Sequence, residues 1–108
     1  MFVTQFVVPL QGSHTDWYRH YHVLEKRTVT EFTIQYEAEI ENVWREIVRY
    51  DNAHGRPHKD LLHPDGTATK EEFLFYTNAE VLTFGQNDIR KNWKKYRGQY
   101  EKEMRKIK

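Results

Sequence analysis

The sequence predicts an α+β fold, an antiparallel β-sheet of five or six strands packed by a long C-terminal α-helix. Three observations point to it. Within residues 28–40, Phe32, Ile34, Tyr36, Ala38 and Ile40 fall on one face and alternate with Glu31, Thr33, Gln35, Glu37 and Glu39 on the other, the mark of a half-buried antiparallel strand. His63-Pro64-Asp65-Gly66 carries tight-turn chemistry between two short runs. From Asn78 onward, Leu82, Ile89, Trp93, Tyr96, Tyr100, Met104 and Ile107 recur at three, four or seven, the spacing of an apolar helical stripe. The 108 residues fit a single domain, 1–108, mainly β over 1–76 and helical over 78–107.

Taken in order, Phe2, Thr4, Phe6 and Val8 alternate in a β-branched and aromatic stretch, which predicts a strand closed by Pro9. A polar loop over Gln11 to Asp16 leads to a β-rich run from Trp17 to Leu24, and Glu25, Lys26 and Arg27 make a charged turn. After the long strand, Glu41 and Asn42 turn the chain into a strand from Val43 to Asp51. Its register has two options. A two-residue loop pairs Ile40 with Val43 and places Arg45, Arg49 and Asp51 on the core face. A three-residue loop pairs Ile40 with Trp44, buries Trp44, Val48 and Tyr50, and sets Arg45 across from Glu39. Because a one-residue slip turns every side chain over, the second is favoured, as it buries apolar groups and pairs opposite charges.

Gly55 and Pro57 exclude regular structure from Asn52 to Pro57. The turn at Pro64-Asp65 predicts a hairpin with Gly66 in the left-handed position. Counting outward pairs His63 with Thr67, Asp60 with Lys70, Lys59 with Glu71, and His58 with Glu72. Phe73 to Tyr76 is expected to complete the sheet. Asn78 is the expected helix N-cap, with Glu80 in the first turn and a possible break near Gly85.

Composition narrows the function. There are no cysteines, which removes disulfides, thiolate metal sites and a cysteine nucleophile. No apolar run approaches the ~20 residues of a membrane span, and the N-terminus lacks the basic start of a signal peptide, so a cytoplasmic location with no membrane contact is expected. The net charge of +1 is uneven. Residues 90–108 hold nine Lys/Arg against two Glu, a net of +7, and the rest hold eight against fourteen acids, a net of −6. The helix end therefore suits an anionic partner. No phosphate loop, GxSxG elbow or zinc-finger spacing occurs.

The candidate site is the stretch from Trp44 to Gly66, which holds three of the six histidines and three of the five aspartates. His54, His58 and His63 lie near Asp51, Asp60 and Asp65, a pattern suited to acid/base chemistry because histidine titrates near neutrality. Arg49 suits an anionic phosphate or transition state, and Glu72 suits orienting the His58 ring. The alternative is a polar loop of solvated histidines. A metal set would draw on His54 and His58 with Asp60 or His63, but Gly55 and Pro57 deny the HxxxH spacing its helix, so no metal or other cofactor is expected. Lys94, Lys95 and Arg97 are the expected nucleic-acid contacts, against a solvated outer face.

Arg49-Tyr50-Asp51-Asn52-Ala53-His54, with Gly55, Pro57 and His58 behind it, resembles the signature stretch of the TumE-like small prokaryotic toxins and related domains. The matching positions are Arg49, Asp51, Asn52, His54 and His58. Here Gly55 and Arg56 intervene where that family often has paired histidines after a proline. The resemblance implies the toxin half of a toxin–antitoxin pair acting on RNA. The expected function is a metal-independent endoribonuclease in which His54 and His58 share acid and base roles, Arg49 binds the phosphate and Asp51 positions a histidine. The expected partners are an antitoxin protein and RNA, with a homodimer left open. The alternatives are a non-catalytic protein- or nucleic-acid-binding module and a metal-dependent enzyme.

Overall fold

The computed structural model describes residues 1–107. Six strands run in chain order across one antiparallel sheet: β1 (Phe2–Pro9), β2 (Asp16–Glu25), β3 (Thr28–Ile40), β4 (Val43–Asp51), β5 (His58–Leu62) and β6 (Ala68–Glu72). Helix α1 (Asn78–Lys106) follows and packs on β3 and β4. Each strand pairs with its sequence neighbours, so every connection is a hairpin or short loop.

The alternation in β3 is realised as expected. Phe32, Ile34, Tyr36, Ala38 and Ile40 are buried beneath α1, together with Tyr18 of β2 and Ile47, Val48 and Tyr50 of β4. The helix contributes Val81, Ile89, Trp93, Tyr100 and Met104 to this layer, while Ile107 stays 61% exposed. Two polar anchors cross the interface. The Asp16 carboxylate accepts from Tyr36 Oη at 2.5 Å and Arg97 Nη1 at 2.9 Å. The Asp88 carboxylate accepts from Tyr50 at 2.5 Å and Tyr96 at 2.6 Å. Charge-assisted bonds of this kind satisfy groups that burial would otherwise penalise.

The register of the β3–β4 hairpin differs from the favoured expectation. Ile40 pairs with Val43 across a two-residue turn, Glu39 faces Trp44 and Ala38 faces Arg45. Glu41 and Asn42 both have positive φ, 56° and 65°, the geometry whose twist matches the flanking strands. A bulge between Tyr36 and Glu37 then inserts Ile47, after which Tyr36 faces Val48 and Ile34 faces Tyr50. One register therefore holds at the turn and the other beyond the bulge. An extra residue reverses the parity of a strand, so Ile47, Val48 and Tyr50 are all buried and Trp44 is 38% exposed.

Two further expectations are corrected. Strand β6 stops at Glu72, and Phe73 to Tyr76 form a turn rather than more sheet, with Phe75 95% exposed. The cap of α1 is Thr77, not Asn78. Thr77 Oγ1 accepts from the Glu80 backbone at 3.1 Å, and Glu80 Oε1 accepts from the Thr77 backbone at 2.9 Å, a reciprocal capping box. The Asn78 side chain instead donates to the Val29 carbonyl at 3.0 Å. The helix runs unbroken through Gly85.

The β5–β6 register matches the one counted from the turn: His58 with Glu72, Lys59 with Glu71 and Asp60 with Lys70. His63 N donates to Thr67 O at 2.9 Å, and Gly66 has φ +90°. A β-branched side chain is strained there, so Gly66→Val is expected to lower stability by ~1–2 kcal/mol. Thermal or denaturant melting checks it, and an unchanged midpoint would remove the turn from the list of register determinants.

Candidate functional site

The site lies on the sheet face opposite α1. Because paired residues of neighbouring strands share a face, the registers build two adjacent rows across the sheet. One row is Arg19, Gln35, Arg49, Asp60 and Lys70, and the other is Tyr21, Thr33, Asp51, His58 and Glu72. Arg49 and Asp51 point here because Val48 and Tyr50 take the helix side.

Where the rows cross β4 and β5, four side chains close into a network. His58 Nε2 lies 2.7 Å from Asp51 Oδ1 and 3.5 Å from Asp60 Oδ2. Arg49 bridges the carboxylates, with Nε 3.1 Å from Asp51 Oδ2 and Nη2 3.1 Å from Asp60 Oδ2, and its Nη1 is 3.5 Å from Glu46. His58 Nδ1 faces the Arg56 carbonyl at 3.1 Å. Both ring nitrogens thus face oxygen atoms, Nε2 a carboxylate and Nδ1 a backbone carbonyl. Asp51, His58 and Asp60 are all buried. Arg49 Nε and Asp60 Oδ1 are buried without a hydrogen-bond partner among the described residues, and Lys70 Nζ lies 3.9 Å from the latter.

The remaining predicted residues divide. His54 sits in a one-turn 3₁₀ segment, Ala53–Gly55, with φ 68°, exposed and with no side-chain partner among the described residues. It lines the same cleft of about 250 Å³ as His58, with Ala53, Arg56, Lys70 and Glu72. The two histidines are therefore brought together. Glu72 faces His58 in register, but its carboxylate lies 4.0 Å from Arg56, and the carboxylates on the ring belong to Asp51 and Asp60. Asn52 works in the scaffold: its side chain accepts from Phe32 N and donates to Thr30 O, both at 3.0 Å, extending the ladder past the end of β4. His63 is elsewhere. Its Nδ1 lies 2.7 Å from Glu103 and its Nε2 2.7 Å from Thr69, tying the hairpin to the end of α1.

On the basic helix, Lys94 and Lys95 are exposed, but α1 occupies the opposite face from the cleft. Arg97 is committed to the fold. It donates to Asp16 and to the Glu39 carbonyl at 3.1 Å and lies 3.6 Å from Glu101.

Asp51, His58 and Asp60 each offer one ligand atom within 4.8 Å of the others, and a His58 ring donating Nδ1–H to a backbone carbonyl is a common metal second shell. However, the Arg49 guanidinium already bridges both carboxylates and supplies the positive charge there. A divalent ion would have to displace Arg49 and open the 2.7 Å Asp51–His58 contact. The donor set as arranged fits an arginine better than a metal.

Sequence reasoning missed a second histidine group on the helix side of β2. Gln86 Nε2 lies 2.9 Å from His20 Nδ1, and His20 Nε2 lies 2.6 Å from His22 Nδ1. His20 is 4% exposed, with Phe6 stacked on it at 4.3 Å. Burial first, and then the His22 and Arg90 charges, lower its pKa from 6.5 to about 4. The unfolded chain therefore binds a proton below pH 6.5 that the folded chain refuses until about pH 4. Stability should fall as pH drops through that window, whereas the lowered Asp16, Glu37 and Asp88 carboxylates begin to act only as pH falls toward their ordinary values of 3.8 and 4.5, below the range from pH 7 to 5. Melting midpoints at pH 7, 6 and 5 are expected to decline in the native protein and to flatten in His20→Gln. Parallel slopes would show that His20 is not the group responsible. The signal in the sequence was the alternate His-x-His on a strand, visible only once the helix is known to cover that face.

Among the described residues, no helix is long and apolar enough to cross a membrane. Residues 1–106 match the family model described as a domain of unknown function, DUF7718. No curated protein and no solved structure matches the chain.

Proposed function

The chain belongs to the DUF7718 family, described as a domain of unknown function, and on its cleft geometry we propose an RNA-directed protein of the toxin type, acting as a metal-independent endoribonuclease. One observation carries the proposal: His54 and His58 line one cleft together with the Arg56 and Lys70 cations and the Glu72 carboxylate. A phosphodiester there meets Arg56 and Lys70, whose charges hold its non-bridging oxygens. The unpartnered His54 ring takes the proton of the ribose 2′-hydroxyl. The 2′ oxygen attacks phosphorus and the bond to the 5′ oxygen breaks. His58 supplies a proton to that leaving oxygen through Nδ1–H, now donated to the Arg56 carbonyl in the cleft wall. Asp51 holds the ring as a positioning residue, and Arg49 holds Asp51 and Asp60 instead of binding phosphate as first expected. An antitoxin protein belongs to the same proposal.

A second function, a non-catalytic binding module, is favoured by a different observation. His58 is buried with both ring nitrogens engaged inside the protein, so it reaches substrate only by releasing a bond. The two separate on a chelator-treated RNA cleavage assay run beside RNA binding. Cleavage that needs His54 supports the ribonuclease. Binding without cleavage, weakening with salt as phosphate contacts must, leaves the module.

A further inference from the structure

The two edges of the sheet differ in kind. Strand β6, Ala-Thr-Lys-Glu-Glu, carries three charges in five residues, the usual protection of an open edge against pairing. Strand β1, Phe-Val-Thr-Gln-Phe-Val-Val-Pro, carries none over eight residues. Among the described residues it pairs with β2 alone, so no strand of the described chain lies beside its outer backbone groups.

Apolar side chains are exposed on both faces of β1. Phe2 and Phe6 pair with Leu24 and His20 on the helix side, and Val3 and Val7 pair with Val23 and Arg19 on the other. They are 73%, 40%, 49% and 40% exposed in that order. The helix packs mainly on β3 and β4 and comes beside β1 only at Val8 and Pro9, which line a cavity with Arg90. A strand added at this edge would satisfy the free backbone groups and cover both apolar rows at once.

We infer that β1 is a homodimer edge at which a second copy of this chain pairs antiparallel, with its two-fold axis near Gln5. A two-fold contact requires a strand complementary to itself. Centred on Gln5, antiparallel pairing sets Val3 against Val7, Phe2 against Val8 and Thr4 against Phe6, with the two Gln5 amides facing each other. No charge meets a like charge. An uncharged edge favours an uncharged partner strand, and the chain's own β1 is one, already held extended by β2, so pairing orders little further. The sheet then runs continuously through both copies. The His54–His58 clefts, beside β6, stay open at its far ends, so this inference does not depend on what the clefts do.

The absence of cysteine in the native chain makes the test direct. Light scattering on the full chain at high micromolar concentration should give twice the chain mass. Val3→Lys with Val7→Lys should halve that mass while the circular dichroism of the folded chain persists. Gln5→Cys should cross-link copies under mild oxidation, and Thr69→Cys on β6 should not. The Gln5→Cys result stands even if the double lysine variant fails to fold. A native chain that stays monomeric overturns the inference. So does a dimer that shows no Gln5→Cys cross-link, since its contact lies elsewhere.

Discussion

Replacing His54 by asparagine is expected to lower RNA cleavage by ~10²–10⁴-fold, the usual effect of removing one general acid or base, while leaving the melting temperature nearly unchanged. Asparagine is chosen because His54 has φ 68°, and asparagine tolerates that left-handed backbone better than alanine does. The imidazole is exposed and makes no side-chain hydrogen bond, ion pair or ring contact among the described residues, so its loss removes chemistry and little packing. Lys70→Gln should weaken substrate binding and cut the salt dependence, because it removes a charge that a phosphate would meet. His58→Gln is a different experiment. His58 is buried against two carboxylates, and removing it leaves Asp51 short of a donor, so it should lower both cleavage and stability. Cleavage that survives His54→Asn would end the proposed mechanism, and a native chain that cleaves no RNA would hand the cleft to the binding module.

Much of this fold was legible because local signals agreed with long-range ones. The ten alternating residues of β3 from Glu31 to Ile40 admit one buried face. The β5–β6 register followed from Pro64 and Gly66, and the pairing of Asp60 with Lys70 and Lys59 with Glu71 reinforced it. The β4 register was not legible, because periodicity assumes a constant count. Ile47 adds one residue to one strand only, and each of two registers satisfied half of the strand. The site was legible as a cluster but not as a geometry. Asp51 meets His58 across a six-residue irregular loop, and no turn rule fixes that pairing in advance. Once β5 folds back on β4, Arg49 faces Asp60 and Asp51 faces His58, two complementary pairs from one register. The His20 group was invisible because Gln86 reaches it from 66 residues away.

Gly85 is the other position where a small change should have a large effect. In the sequence it marked a possible helix break, since glycine weakens a helix interior by ~1 kcal/mol relative to alanine. The structure gives the reason for its presence. A Cβ built at Gly85 would lie 2.8 Å from Tyr50 Cγ, 2.9 Å from Cδ1 and 3.1 Å from Cβ. Those atoms cannot easily retreat. Tyr50 is fully buried, its hydroxyl is held by Asp88, and Phe73 and Phe84 lie against its ring. Gly85→Ala should gain the helix propensity and still lose stability, because overpacking a fixed core costs ~1–3 kcal/mol. Gly85→Leu, with no space for its branch, should cost several kcal/mol and partly lift α1 from β4. Gly98, where an added Cβ meets nothing within 4 Å, is the control: Gly98→Ala should stabilise by up to ~1 kcal/mol. Opposite signs for the two alanine variants in denaturant melting would show that close approach of α1 to Tyr50, and not helix flexibility, keeps a glycine at 85. If both stabilise, close approach to Tyr50 is not what keeps a glycine at 85.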